Sequence, residues 1–337
     1  MKLKKLSPLL MAFLLGACQG QKDQSVEETT VEASTEETVE EVVETPNTVT
    51  AVAPGLYPEG IDYDTRNNRF FITSLRTGQV GTVNDAGEYT QFTDGEGIIS
   101  AIGVYVDEAR NRVLLAGSDP GAGRKTSEAT KYKTAMLASY DLETGAQTQL
   151  INLAALSEDE THFANDIAVD AEGAIYVTNS FSPYIYKVVD GTASIWATDE
   201  AYKPTPGSFG LNGIVYHTDN YLIVAKSEGS KLFKVALDDP SNSKEVVVEG
   251  MPSGADGLEL IDAKTIVVVC NAGNAVVTLE SEDGWESSKI VKTFTTPEVF
   301  PTTATKRGED AYVLYAGLNK LFGGDTTETN FPIQKID

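Results

Sequence analysis

Cysteine and histidine are almost missing from this chain. Among its 337 residues there are two of each, so the sequence can form neither a disulfide framework nor a zinc centre built from several cysteines and histidines. The G-x-S-x-G pattern of a nucleophile elbow is also missing. These absences exclude a disulfide-stapled scaffold and an α/β-hydrolase type of serine catalysis.

Positive charge is scarce as well. The chain has 26 lysines and arginines against 50 aspartates and glutamates, which gives a formal net charge of −24. Proteins that bind nucleic acid neutralise phosphates with basic surfaces, so this balance argues against a nucleic-acid partner. A strongly acidic surface is compatible instead with cation binding.

No apolar run in the sequence is long enough for a membrane-spanning helix. The longest candidate follows Lys2, Lys4 and Lys5 and covers residues 6–15. A positive segment followed by a short apolar segment is typical of a signal peptide. We therefore predict a signal peptide over residues 1–17.

The sequence Leu-Gly-Ala-Cys at residues 15–18 resembles a bacterial lipobox. The resemblance implies cleavage before Cys18 and attachment of lipid to its thiol, so that the membrane is reached through a lipid anchor only. Because Gln19 stands where a retention signal would place an aspartate, we expect the outer membrane of the cell envelope. The alternative is an ordinary cleaved signal that happens to contain a cysteine.

The segment after the cysteine has the composition of a tether. Residues 21–47 contain nine acidic residues, one lysine and no aromatic residue. Such a segment cannot bury enough apolar surface to offset its loss of conformational entropy, and its like charges extend it. We predict a lipidated, disordered acidic tether over residues 18–47 and one folded domain over residues 48–337.

A repeat organises the rest of the chain. Six equivalent positions, which we call the column, each stand at the start of a short β-like run: Glu59, Ile102, Asn165, Asn212, Asp256 and Thr302. Their spacings are 43, 63, 47, 44 and 46 residues. A period in the forties is typical of β-propeller blades. We predict an all-β fold, a six-bladed β-propeller with four-stranded antiparallel blades.

The ends of the domain are expected to close the ring. Residues 48–52 and 331–336 are both strand-like, and pairing them in the last blade would remove exposed sheet edges.

Cys270 lies in an apolar run, which favours a buried and inert thiol over a nucleophile.

Four members of the column bear carboxylate or amide oxygens. Equivalent positions of a propeller converge on the central axis, so Glu59, Asn165, Asn212 and Asp256 should meet there. Carboxylate and amide oxygens are the ligands of hard cations, and Ca²⁺ is the most plausible of these. Another divalent cation is the alternative.

The loops that follow the second strands should surround the mouth of the channel. They contain Arg76, Asn179 and Lys226, which we predict to bind substrate, and the long insertion 118–133, which could act as a lid. These side chains would suit an anionic or strongly polarised small molecule. Ordinary solvated loops are an equally acceptable interpretation.

The repeated motifs resemble the SMP-30/gluconolactonase/LRE family of six-bladed, calcium-dependent lactonases and phosphotriesterases. The resemblance rests on YPEGI at 57–61, ANDIAVD at 164–170, GLNGI at 210–214 and ADGL at 255–258. The resemblance implies that the four column residues with carboxylate or amide side chains ligate a catalytic calcium ion. The second blade departs from the family, because Ile102 occupies its column position. Some relatives place histidines near the metal, and this chain offers His162 and His217.

Two functions are compatible with this pattern. In the first, the protein is a monomeric hydrolase of lactones or related esters, in which Asp256 acts as a general base or as a nucleophile. In the second, the cation only braces the channel, and the propeller is a non-catalytic binding or scaffold module of the cell envelope. Fold alone does not choose between them.

Overall fold

The computed structural model describes residues 45–336. The predicted signal peptide, the lipidation of Cys18 and the tether up to residue 44 therefore lie outside the described residues. Residues 45–47 of the predicted tether contact the last strands: the Thr45 hydroxyl donates to Asp310, and the Pro46 carbonyl accepts from the Tyr312 hydroxyl.

Nearly all regular structure between residues 45 and 336 is β-strand. The strands are β1 (Thr48–Val52), β2 (Ile61–Asp64), β3 (Arg69–Thr73), β4 (Val80–Val83), β5 (Tyr89–Thr93), β6 (Ser100–Asp107), β7 (Arg112–Ser118), β8 (Lys133–Asp141), β9 (Gln147–Asn152), β10 (His162–Val169), β11 (Ile175–Asn179), β12 (Tyr184–Val189), β13 (Thr192–Thr198), β14 (Leu211–His217), β15 (Tyr221–Lys226), β16 (Lys231–Ala236), β17 (Lys244–Val248), β18 (Ala255–Asp262), β19 (Thr265–Cys270), β20 (Ala275–Glu280), β21 (Ser287–Thr295), β22 (Pro301–Arg307), β23 (Asp310–Tyr315) and β24 (Asn330–Ile336).

Helical structure in the same part of the chain is short. One α-helix, α1, covers Leu318–Phe322, and 3₁₀ turns cover Glu108–Arg110, Ala154–Leu156 and Glu200–Tyr202. Over residues 45–336, no helix has the length and apolar character needed to cross a membrane.

The strands pair in antiparallel sets of four that follow the chain. The sets are β2–β5, β6–β9, β10–β13, β14–β17, β18–β21 and β22–β24 with β1. Two short parallel pairings, between β8 and β10 and between β17 and β21, join neighbouring sets. The hydrogen-bonded sheets therefore contain four, eight, eight and four strands.

The chain ends close the last set, as predicted. Strand β1 pairs with β24 from Thr48↔Gln334 to Val52↔Asn330, and β24 pairs with β23. The N-terminal strand is consequently the outermost one of this set, which the sequence pattern does not reveal.

The first strands of the sets contact one another in a cycle. Strand β2 contacts β6, and the contacts continue through β10, β14, β18 and β22 back to β2. Six apolar clusters lie between neighbouring sets, and the one around Phe70 and Tyr312 joins the last set to the first. Burial of apolar side chains between the sets therefore holds the cycle closed.

The hairpin turns follow the residue chemistry of the sequence. Between first and second strands, Asn68, Asn111 and Asn220 adopt left-handed backbone conformations with φ of 49°, 52° and 63°. Asparagine tolerates this region better than most residues other than glycine. The second strand β15, which follows Asn220, is fully buried, which explains its continuous apolar character.

Candidate metal and active site

The column residues lie at irregularities in the first strands. The register between first and second strands shifts between Ala164 and Ile167, between Leu211 and Ile214, and between Ala255 and Leu258. The shifts enclose Asn165, Asn212 and Asp256. A β-bulge redirects a side chain out of the regular alternation, and here it places these side chains at the axis.

Close packing of the first strands depends on the residue after the column position, which is glycine in four of the six repeats. A Cβ atom on Gly213 would lie 2.4 Å from the backbone oxygen of Asp256, and one on Gly60 would lie 2.4 Å from that of Ile102. Only glycine lets the strands approach this closely. The small spacing brings the column side chains within reach of one another.

Glu59, Asn165, Asn212 and Asp256 all line the same two adjoining spaces on the axis. The larger, which we call the mouth cavity, has a volume of about 400 Å³ and lies above the column between Phe163, Phe209, Phe300 and Leu318. The structure thus brings together all four side chains that the repeat singled out.

Serine hydroxyls orient the two amides. The Nδ2 of Asn165 donates to Ser180 Oγ and the Nδ2 of Asn212 donates to Ser227 Oγ, each across 2.9 Å. Each serine hydroxyl donates in turn to a backbone carbonyl of the next first strand, those of Leu211 and Ala255. Within residues 45–336 no donor reaches the Oδ1 of either asparagine, so both amide oxygens are available to a ligand.

The two carboxylates are held differently. Asp256 accepts a hydrogen bond from Nδ2 of Asn271 at its Oδ2. The Glu59 backbone is fixed by the hydroxyls of Thr73 and Thr302. In the described part of the chain, the Glu59 carboxylate itself has no hydrogen-bond partner.

Both carboxyl groups are costly to ionise without a counter-charge. Burial raises the pKa of Asp256 to about 8, although hydrogen bonds from Asn271 and Asn212 act in the opposite direction. Burial, and then the charges of Asp256 and Asp166, hold the pKa of Glu59 well above its ordinary value. A cation between the two carboxylates would relieve both effects.

The donor set fits a hard cation. Two carboxylates and two free amide oxygens provide four oxygen ligands, which leaves room for water or substrate in the coordination shell of Ca²⁺. Within residues 45–336 no group of three or more His, Cys, Asp and Glu side chains is arranged to hold a metal ion. An ion at the column would therefore depend on the amide oxygens as much as on the carboxylates.

Two of the three predicted substrate-binding side chains instead form hydrogen bonds with backbone groups of the protein. Asn179 is fully buried, where its Oδ1 accepts from the backbone nitrogens of Phe163, Phe181 and Ser182. Lys226 is also buried, and its ammonium group donates to the backbone oxygens of Ala201 and Lys203. Their polar atoms are saturated, so the structure does not support a substrate contact for either.

The third, Arg76, lies outside the mouth cavity as well. Its guanidinium packs against Gly55 and its backbone oxygen accepts from Arg124. The insertion 118–133 is held by buried Asp119, which accepts from the hydroxyls of Thr126 and Thr130. Neither Arg76 nor Asp119 lines the mouth cavity.

Neither histidine reaches the column. His162 is buried, and its ring contacts the Asp159 backbone oxygen and the hydroxyls of Tyr184 and Tyr186. His217 stacks on Tyr221 with ring centroids 4.3 Å apart.

Cys270 is fully buried, which raises its pKa to about 12 and keeps the thiol protonated, as predicted for an inert side chain.

The aromatic lining of the mouth is what sequence reasoning missed. Phe163, Phe209, Phe300 and Phe322 come from four separate segments and surround the space above the column. No periodic pattern links them. The partners Ser180, Ser227 and Asn271 could have been found, since each follows its column residue by fifteen positions.

Comparison with known proteins gives a family match and a fold. A family model described as the SMP-30/gluconolactonase/LRE-like region matches residues 57–316. No curated protein sequence matches the chain significantly.

Several solved structures are similar. The major allergen Mala s 1 of Malassezia sympodialis is 18% identical, with a TM-score of 0.70 and coverage of 87% of this chain and 97% of the allergen. A gluconolactonase from Xanthomonas campestris is 12% identical, with a TM-score of 0.60 and coverage of 86% and 89%. A luciferin-regenerating enzyme is 12% identical, with a TM-score of 0.60 and coverage of 86% of this chain and 95% of the enzyme. At these identities the likeness shows the fold, which is all-β and β-propeller-like.

Proposed function

The chain belongs to the SMP-30/gluconolactonase/LRE-like family, and we propose that it is a calcium-dependent hydrolase of lactones or related esters. In this proposal, six four-stranded blades surround one central channel that contains the site. Membership supports a lactonase-like hydrolase at the level of the family. The observation that carries the finer proposal is that Glu59, Asn165, Asn212 and Asp256 line one cavity, with both amide nitrogens already bonded to serines.

The four column side chains would hold the ion. When bound, Ca²⁺ would polarise the carbonyl oxygen of the substrate and stabilise the negative charge that develops on it. Its charge would also lower the pKa values of Glu59 and Asp256, so that both are carboxylates at neutral pH.

We assign the reacting role to Asp256, whose carboxylate lines the cavity beside the other three column side chains. Asn271 occupies its Oδ2 and thereby limits rotation of the carboxylate. As a general base, Asp256 would take a proton from the water that attacks the substrate carbonyl carbon. As a nucleophile, it would attack that carbon itself and displace the ester oxygen, which leaves as an alcohol after taking a proton from water. A second water would then cleave the resulting anhydride and restore the Asp256 carboxylate. Incorporation of ¹⁸O from solvent into Asp256 in a single turnover would distinguish the two routes.

Hydrolysis with and without calcium tests the proposal. The full-length protein is assayed against lactones, carboxylic esters and organophosphate esters in Ca²⁺ and in EGTA. We expect turnover of at least one class in Ca²⁺, loss of turnover in EGTA, and recovery when Ca²⁺ is restored. Turnover that is indifferent to EGTA would contradict a role for calcium.

Thermal unfolding separates binding from catalysis. Because a ligand that binds only the folded state raises Tm by mass action, Ca²⁺ should raise the Tm of the native protein and of the exposed control Glu249→Gln. It should raise that of Glu59→Gln much less. A calcium-dependent Tm without turnover of any substrate class would favour a binding or scaffold module with a structural cation.

A further inference from the structure

The exposed large aromatic side chains in the described part of the chain lie at one place. Among residues 45–336 the exposed large hydrophobic side chains include three aromatic ones, Tyr132, Phe209 and Phe322, which are 42%, 38% and 52% exposed. All three line a second cavity of about 920 Å³, which we call the side cavity. Clustered exposed apolar surface commonly marks a binding site.

The side cavity is continuous with the mouth cavity. Pro120, Ser208, Phe209 and Phe322 line both. A molecule whose reacting group lies at the column could therefore extend past Phe209 into the side cavity.

The wall between the two cavities is a packed aromatic cluster. The ring centroids of Phe163 and Phe181 are 5.1 Å apart, those of Phe163 and Phe209 are 5.5 Å apart, and those of Phe181 and Phe209 are 5.1 Å apart. Phe181 also contacts Tyr132 at 5.6 Å. Mutual packing holds these rings in place, so the wall is preformed.

The segment that bears Phe209 is anchored on both sides. The backbone nitrogen of Glu228 donates to the Phe209 oxygen, and that of Gly210 donates to the Ser180 oxygen. Thr205 bonds the Glu228 carboxylate. The exposure of Phe209 is thus fixed by the backbone and is not a property of a loose loop.

Most polar groups that line the mouth cavity above the column already form hydrogen bonds with other groups of the protein. Ser227 bonds Asn212 and the Ala255 oxygen, Asn271 bonds Asp256, and Glu228 bonds Thr205. A polyhydroxylated substrate would find few free partners above the column, and its desolvated hydroxyls would be left unpaired.

We infer that the substrate carries a flexible alkyl chain, which lies along the Phe163–Phe181–Phe209 wall and ends in the side cavity. The inference rests on the proposed function for the identity of the reacting group, a lactone or ester, but binding of the alkyl chain itself does not require turnover. Phe209, at the junction of the two cavities, determines the preference for chain length.

Binding of ketones that cannot be hydrolysed tests the chain site directly. The full-length protein is titrated calorimetrically with 2-heptylcyclopentanone and with 2-methylcyclopentanone. Each buried methylene is worth roughly a factor of three to four in affinity. With the chain partly buried, we expect the heptyl compound to bind at least ~30-fold more tightly. Equal affinities would overturn the inference.

Variants locate the chain. Phe209→Ala should weaken binding of the heptyl ketone about tenfold and that of the methyl ketone less than twofold, since only the longer chain covers this ring. Phe209→Leu should retain most of the difference, which guards against a folding defect in the alanine variant. The exposed Val247 lies away from both cavities, so Val247→Ala should match the native protein. A loss that is the same for both ketones in Phe209→Ala would overturn the role of this residue.

Turnover then separates this inference from the proposed function. With δ-dodecalactone and glucono-1,5-lactone as substrates, we expect a higher kcat/KM for the alkyl lactone, reduced selectively in Phe209→Ala. If lactones are cleaved without regard to chain length, the function stands and the chain site is wrong. If the heptyl ketone binds selectively but no lactone or ester is cleaved, the chain site stands and the proposed function is wrong.

Discussion

Asn271 donates a hydrogen bond of 2.7 Å from its Nδ2 to Oδ2 of Asp256. The same relationship, fifteen residues apart, links Asn165 to Ser180 and Asn212 to Ser227. The partner matches the chemistry of the column side chain, because a carboxylate needs a donor, whereas an amide nitrogen needs an acceptor. The residues that directly follow the second strands β11, β15 and β19 therefore orient the column side chains.

Asn271→Ala should impair catalysis more than stability. Because the hydrogen bond lowers the pKa of Asp256, its loss shifts ionisation of the carboxyl group to higher pH and frees its rotation. We expect kcat/KM at pH 7 to fall about 10- to 100-fold, with the acidic limb of the pH profile displaced to higher pH. The exposed Asn242→Ala is the control. If the pH profile of kcat/KM for Asn271→Ala matched that of the native protein, Asn271 would have only a structural role.

Ser227→Ala should weaken calcium binding, in contrast to Ser118→Ala. Both hydroxyls donate to a backbone carbonyl of the next first strand, those of Ala255 and Ala164. Only Ser227 also accepts from Asn212. Both variants should lose about 1 kcal/mol of unfolding free energy, but only Ser227→Ala should lose calcium affinity, about tenfold by calorimetric titration. Equal affinities in the two variants would argue against orientation of Asn212 by the serine.

Gly213→Ala should destabilise the ring of first strands. The added Cβ would lie 2.4 Å from the Asp256 oxygen and 2.7 Å from the Leu258 nitrogen, and neither backbone atom can move alone. We expect a loss of about 3 kcal/mol or more in urea unfolding. Gly250→Ala, which meets nothing within 4 Å but has a φ of 75°, should cost only about 1 kcal/mol. Similar losses would mean that the strands can separate at little cost.

Asp62 should make the calcium-free protein less stable as pH rises. Burial raises its pKa from 3.8 to about 6, although bonds from Val106, Tyr63 and Thr305 act against this. Between these values the folded protein retains a proton on Asp62 that the unfolded chain has released, so the contribution of Asp62 to the unfolding free energy falls as pH rises from about 4 to about 6 and then levels.

Asp62→Asn should flatten this part of the curve. Between about pH 4 and about pH 6 the unfolding free energy of the native protein should fall by on the order of 2 kcal/mol more than that of the variant. Urea unfolding in EGTA measures both. Asp238 is exposed, so Asp238→Asn should follow the native curve. A native curve that rises over the same interval would contradict the direction of the shift.

The sequence alone determined the strands and the column. Alternation of side chains is a local property, and it predicted strands at residues 48–52 and 331–336, where the structure has β1 and β24. Because repeated units place equivalent residues equivalently, the spacing alone was enough to bring Glu59 and Asp256 to one cavity.

Only the tertiary structure decided which polar side chains remain free. Asn179 and Lys226 had the right positions in the repeat, but backbone groups from neighbouring segments occupy their hydrogen-bonding atoms. The wall formed by Phe163 and Phe209 likewise joins segments that no period relates. These hydrogen bonds and apolar contacts join residues that no repeat period relates, so the sequence pattern does not reveal them.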